Sequence, residues 1–142
     1  METLFFNKRY CKIYYIEESR CVHLDWDGFC NSDEFREACN ASLELLIQKG
    51  ADKMIADNTK AKVLKSEDQQ WMNDVWFPKA FAAGFRTSAV VVPKDIFRDM
   101  AVKKIVNDLD KNKFTVHFFD NYTQATVWIK EVEYSLASKQ VG

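Results

Sequence analysis

The sequence predicts an α/β fold: a mixed sheet of about six strands, opened by an antiparallel hairpin and continued by alternating helices and parallel strands, with four helices in all. Three observations lead there. Period-two alternation marks the residues up to Trp26, whereas beyond it short apolar runs alternate with stretches whose apolar residues recur at three- and four-residue steps. Strands and helices in strict alternation imply parallel strands joined by right-handed crossovers. Loop formers are scarce, with four Gly and two Pro in 142 residues, so the connections are short and a single domain is expected.

Residues 3–7 read as a short aromatic strand. The hairpin of 10–17 and 20–26, turning at Glu18-Ser19, passes a pairing test. With Glu17 opposite Arg20, one face sets Cys11, Ile13 and Tyr15 against Trp26, Leu24 and Val22. That face is apolar throughout. The other sets Lys12, Tyr14 and Ile16 against Asp25, His23 and Cys21, a half-polar surface suited to partial cover by a helix. Asp27-Gly28 is expected to break the strand. Asn31 with Glu34 three residues on has the form of a capping box, and Phe35, Ala38, Cys39, Ser42, Leu45 and Leu46 make the stripe of a helix that Gly50 stops.

Residues 53–57 form the next strand, followed by a loop from Asp57-Asn58 that carries Lys60, Lys62 and Lys65. Ser66 is expected to cap a second helix, with Glu67 and Asp68 at its positive end and Trp71, Met72, Val75 and Trp76 as its apolar face. Pro78 falls inside that pattern and should kink or break it, leaving 81–84 as a separate last turn. A β-branched strand spans 86–92. A third helix over 95–110 turns Phe97, Ala101, Ile105 and Leu109 inward, and a strand over 114–119 follows. Asn121 with Gln124 then caps a C-terminal helix whose inner face is Ala125, Trp128, Ile129, Val132 and Leu136.

Composition narrows the function. With 47% hydrophobic and 14% aromatic residues the chain has the material for a core, so a folded rather than a disordered chain is expected. Lys plus Arg number 20 and Asp plus Glu 21, so no net field draws the domain to nucleic acid or anionic lipid, and neither is an expected partner. The N-terminus has no signal-like charge and apolar pattern, and no apolar run is long enough to span a bilayer. A cytoplasmic protein without stable membrane insertion is expected. Cys11, Cys21, Cys30 and Cys39 match neither Cys-x-x-Cys nor zinc-ligand spacing and read as reduced structural thiols. Two histidines on strands, without a phosphate loop, metal motif or nucleophile elbow, give no basis for an enzyme, a metal or a cofactor.

Several short patterns punctuate the elements: Trp26-Asp27-Gly28 before helix one, Asp57-Asn58-Thr59 after the next strand, Trp76-Phe77-Pro78, Ala83-Gly84, and Asp120 through Ala125 to Trp128. Together with the order of elements they resemble, over nearly the whole chain, the SpoIIAA-like or STAS fold, and within it the small bacterial STAS/SEC14-domain proteins. The resemblance implies a SpoIIAA-like fold and a regulatory role. In the anti-anti-sigma members an Asp-Ser-Ser-Gly motif at the corresponding helix start carries a serine that a partner kinase phosphorylates. Ser66 occupies the comparable place, within Lys65-Ser66-Glu67-Asp68, without the preceding acid or the following glycine. The SEC14 part of the resemblance implies an apolar ligand.

Three places are therefore candidate sites. Asp57, Asn58, Thr59, Lys60, Lys62 and Lys65 lie at the carboxyl end of a parallel strand, where open sheets place ligands, and could hold a small anion or an acidic partner group. Turn-forming hydrogen bonds are their alternative role. Ser66 could accept a phosphate at a helix N-terminus, although Glu67 and Asp68 would repel it and a plain cap also accounts for it. Trp76, Phe77 and Pro78 could form a partner surface, core packing, or the wall of an apolar pocket. The expected function is a non-catalytic regulatory or interaction module that binds a protein partner or itself as a homodimer. The alternative is a carrier of a small apolar or lipid ligand between helix two and the sheet.

Overall fold

In the computed structural model, which describes the backbone of residues 1–141 and the side chains of residues 1–132, the opening hairpin adopts the register its apolar alternation dictates. Strands β1 (Glu2–Lys8), β2 (Cys11–Ile16) and β3 (Cys21–Gly28) form an antiparallel meander. Cys11, Ile13 and Tyr15 pair with Trp26, Leu24 and Val22, and Lys12, Tyr14 and Ile16 with Asp25, His23 and Cys21. The turn closes with Arg20 N donating to Glu17 O at 3.2 Å, Arg20 itself taking a left-handed φ of 55°.

The sheet continues through β4 (Lys53–Ala61), β5 (Thr87–Val91) and β6 (Thr115–Phe119), in the spatial order β1-β2-β3-β4-β5-β6. β3 to β6 run parallel. Because order in space equals order in sequence, right-handed crossovers deliver α1 (Ser32–Lys49), the helical stretch 66–82 and α4 (Ile96–Asn107) to one face. α5 (Tyr122–Val141) closes the other. The larger core lies under the first layer, and a smaller one, including Ile55, Val91, Ala125 and Ile129, lies under α5. With 66–82 counted as one unit, there are four helices.

Two boundaries differ from the sequence reading. β3 carries Asp27-Gly28 as its last two residues instead of stopping at Trp26, and β4 runs four residues past Asp57, because the two strands extend each other: Asp27 pairs with Lys60 and Gly28 with Ala61. The expected break in the second helix does occur, but just before Pro78 rather than as a separate last turn over 81–84. The helix proceeds as α2 (Ser66–Trp71), a π-helical turn (Met72–Trp76) and α3 (Phe77–Ala82). The Phe77 N–H reaches Met72 O, five residues back. Widening the turn just before the proline moves the preceding carbonyls away from its ring and from the donor it lacks.

The helix ends follow local chemistry. Asn31 Oδ1 accepts from Glu34 N at 2.9 Å while Glu34 Oε1 accepts from Asn31 N at 3.0 Å, a complete capping box. The expected α1 stripe is buried throughout, and Gly50, at φ 58°, ends the helix in the left-handed region. Asn121 Oδ1 accepts from Gln124 N at 2.9 Å, and Ala125 and Ile129 are buried. Leu136 lies outside the described side chains.

Helix α4 buries Ala101 and Ile105 as expected and sets Leu109 against the core, but Phe97 faces out, and the helix ends at Asn107 rather than near 110. Its buried residues are Arg98, Ala101, Ile105 and Val106, while Phe97 is 65% exposed. The apolar trio at 101, 105 and 106 sets the inner face, and one turn back from Ala101 stands Arg98. Among the described residues, no helix is long and apolar enough to cross a membrane.

Candidate functional site

The residues expected to form one binding loop are dispersed by the extension of β4. Its pleat sends Met54, Ala56 and Asn58 toward the helical layer and Ile55 and Asp57 toward the opposite face. A bulge between the pairs Asp25–Asp57 and Asp27–Lys60 then re-aims the end of the strand. Asp57 Oδ1 accepts from both Thr59 N (3.0 Å) and Thr59 Oγ1 (2.6 Å), which stabilises the irregular backbone locally. Lys60 Nζ sits 3.7 Å from both Asp25 Oδ2 and Asp27 Oδ2. Lys62 and Lys65 are exposed, and their side chains make no hydrogen bond or ion pair with this group among the described residues. The six do not converge on one site.

Ser66 is exposed and is the first residue of α2, not its cap. Lys65 holds the cap position with no side-chain hydrogen bond, because an ammonium has no acceptor to offer the free amides; its backbone carbonyl accepts from Asp68 N and Gln69 N. Asp68 is buried and accepts from Ser32 Oγ at 2.9 Å and Arg36 Nε at 3.3 Å, which ties α2 to α1. Trp76 and Phe77 lie in the core at 3% and 7% exposure, leaving only Pro78 of that trio at the surface. Trp76 Nε1 donates to Cys39 O at 2.7 Å. Phe77 packs against Phe81, Phe85 and Phe114 with ring centroids 5.5 to 6.4 Å apart.

What the structure does bring together is a cavity of about 100 Å³ between the helical layer and the sheet. Met54, Ala56 and Asn58 of β4 and Ser88 and Val90 of β5 line its floor. Phe77, Phe85 and Phe114 line the end nearest the amino termini of the parallel strands. At the other end stand Trp26, Phe35 and Arg98. Phe77, expected at a partner surface or a pocket wall, belongs to the wall, as does Trp76.

Arg98 is the cavity's one charged lining residue, and it is 3% exposed. Its Nε donates to Asn58 Oδ1 at 3.1 Å and its Nη1 to Lys62 O at 3.4 Å. The guanidinium carbon lies 5.4 Å and 5.8 Å from the ring centroids of Trp26 and Phe35, within cation–π range. Among the described residues no carboxylate pairs with it; the nearest in sequence, Asp95, spends Oδ1 on the Arg98 backbone N–H. Burial draws its pKa down from the ordinary arginine value, yet a guanidinium stays charged at any physiological pH. The result is a buried cation whose direct hydrogen-bond partners are neutral oxygens, flanked by ring faces, with the Asp95 carboxylate acting on it only through space. Sequence reading missed it by one position on α4: Ala101, Ile105 and Val106 carried the signal, and Phe97 obscured it.

On the opposite face His23 is buried between Tyr14 and Tyr122, with ring centroids 5.6 and 4.6 Å away. Neither of its ring nitrogens has a hydrogen-bond partner among the described residues, and burial lowers its pKa, which keeps it neutral. His117 is exposed and stacks on Trp128 at 4.5 Å. The four cysteines are buried thiols, and burial raises the pKa of Cys11, Cys30 and Cys39. Among the described residues no three His, Cys, Asp or Glu side chains gather as a metal site. No family model, curated protein or solved structure matches the chain.

Proposed function

We propose that this chain is a STAS-like, non-catalytic cytoplasmic module that binds a small apolar molecule in the cavity between its helical layer and its sheet. The observation that carries this reading is the cavity itself: about 100 Å³ of largely apolar-lined space in a layer that otherwise packs densely, with one buried cation in its wall. Protein interiors hold few voids larger than a water molecule. The space is below the roughly 300–1,000 Å³ of drug-sized sites, so the cargo is compact rather than a long lipid chain. The STAS-like assignment rests on the order of elements and on the motif residues from Trp26 to Trp128.

Native mass spectrometry after mild purification, combined with thermal melts against a panel of small apolar molecules, tests this function. A retained small mass, or a melting temperature raised by compact ligands and not by long-chain lipids, is expected. No retained mass and no shift with any compact ligand would overturn it.

A second reading, a regulatory module that docks on a protein partner or on itself as a homodimer, is favoured by one surface feature. Val63, Ile96, Phe97 and Met100 are 47%, 67%, 65% and 63% exposed, and Val63, Phe97 and Met100 line one shallow groove beside α4. Light scattering on the wild type and on Phe97→Glu tests it. A dimer that the substitution dissociates supports self-association; a wild type that is monomeric and recovers no partner under native conditions sinks the reading.

A further inference from the structure

We propose that the occupant of the cavity is a short-chain aliphatic monocarboxylate, its carboxylate paired with Arg98 and its chain lying along β4 and β5 toward Phe85. This rests on the reading above that the cavity is a ligand site, and adds the charge and shape of the ligand.

The charge follows from Arg98. Of the roughly five N–H donors of a guanidinium, two are engaged, by Asn58 Oδ1 and Lys62 O. Those left over include both hydrogens on Nη2. One from each terminal nitrogen suits the two oxygens of a carboxylate, the bidentate geometry in which arginine binds most strongly. The side chain is also held for that purpose. Trp26 and Phe35 flank the guanidinium, while Asn58 and the Lys62 carbonyl anchor Nε and Nη1, so little rotamer freedom remains to be lost on binding. A buried cation whose hydrogen bonds go only to neutral oxygens is costly, and a ligand carboxylate neutralises it.

The shape follows from polarity along the floor. Asn58 and Arg98 stand at the carboxyl end of the strands, and Met54 lies four residues back on the same face of β4. At about 3.3 Å per residue the floor between them spans roughly 13 Å. Beyond Met54 and its neighbour Ser88 the walls are the rings of Phe85 and Phe114. An anion at one end and apolar walls at the other match an amphipathic acid.

The test is calorimetric titration of the full chain at pH 7 with hexanoate and with its neutral isostere hexanamide, on the wild type, Arg98→Met and Arg98→Lys. The wild type is expected to bind hexanoate about tenfold or more tighter than hexanamide, the scale of a charge-assisted hydrogen-bond pair. Arg98→Met should lose that preference while keeping hexanamide binding, and Arg98→Lys should keep part of it. Equal wild-type affinity for the two compounds, or undiminished hexanoate binding by Arg98→Met, overturns the assignment of an anion and leaves the apolar cavity standing. If neither compound binds the wild type, the monocarboxylate assignment falls, and the ligand-site reading falls with it only if the panel of compact apolar molecules also gives no shift. Should Arg98→Met not fold, the wild-type ratio of hexanoate to hexanamide decides alone.

Discussion

Ser88→Val fills the cavity from its floor. Ser88 is 5% exposed, sits in β5 between Met54 and Val116, and lines the cavity, and its hydroxyl makes no hydrogen bond among the described residues. Replacing that hydroxyl by two methyl groups therefore breaks no bond and installs a residue that suits a strand. Two routes give the magnitude. Burying two methyl groups at about 0.8 kcal/mol each contributes ~1.6 kcal/mol. Closing the whole 100 Å³ at about 24 cal/mol per Å³ sets a ceiling of ~2.4 kcal/mol. A stabilisation of about 1–2 kcal/mol is expected, since one valine fills part of the space. Urea unfolding followed by tryptophan fluorescence measures it as a higher midpoint at unchanged slope. The same substitution should weaken binding of any apolar probe. A loss of about 1 kcal/mol or more, the signature of overpacking, would mean that the space above Ser88 is already filled.

Three further outcomes test other parts of the structure. Burial holds the His23 pKa below its ordinary value of 6.5, so the imidazole is neutral in both states well above that pH. As pH falls through 6.5 the unfolded chain takes the proton first, and stability declines until the folded-state pKa is passed. His23→Phe, which keeps the stacking between Tyr14 and Tyr122, should show a smaller drop in urea midpoint from pH 7.5 to pH 5; an equal drop contradicts the assignment. The buried cysteines should resist iodoacetamide in the folded protein at pH 8 and react fully in urea, and fast labelling under native conditions would contradict their burial. Asn31→Ala should cost about 1 kcal/mol by removing the α1 capping box, and Asn31→Ala with Glu34→Ala should cost less than the sum of the single changes, because the two side chains act as one unit.

The parts of the fold that were legible in the sequence are those fixed by local periodicity. In β2 and β3 one register makes an entire face apolar, and any single-residue slip would bury Lys12 or Asp25. In α1 the cap, the stripe and Gly50 agree with one another. The end of β4 was not legible, because Asp57, Asn58, Thr59 and Lys60 have turn-like composition and become a strand only by pairing with Asp27 and Gly28 of β3. That same extension divides the candidate binding residues between the two faces of the strand. Residues adjacent in sequence alternate between faces once they are pleated, so Asn58 meets Arg98 while Asp57 turns to the opposite side. Arg98 was hidden because a charged residue on an amphipathic helix is ordinarily read as solvent-facing. The cavity leaves no signal in residue type, since a void is a property of how side chains pack.

The most direct measurement is an NMR experiment on the full chain with saturating hexanoate, recording intermolecular contacts between ligand and protein protons. Contacts from the hexanoate chain to Val90, Val102 and Phe85, with a shift of the Arg98 guanidinium protons, are the expected result, since all four residues line the cavity. Contacts confined to Val63 and Met100 in the outer groove, or no contacts at all, would contradict it.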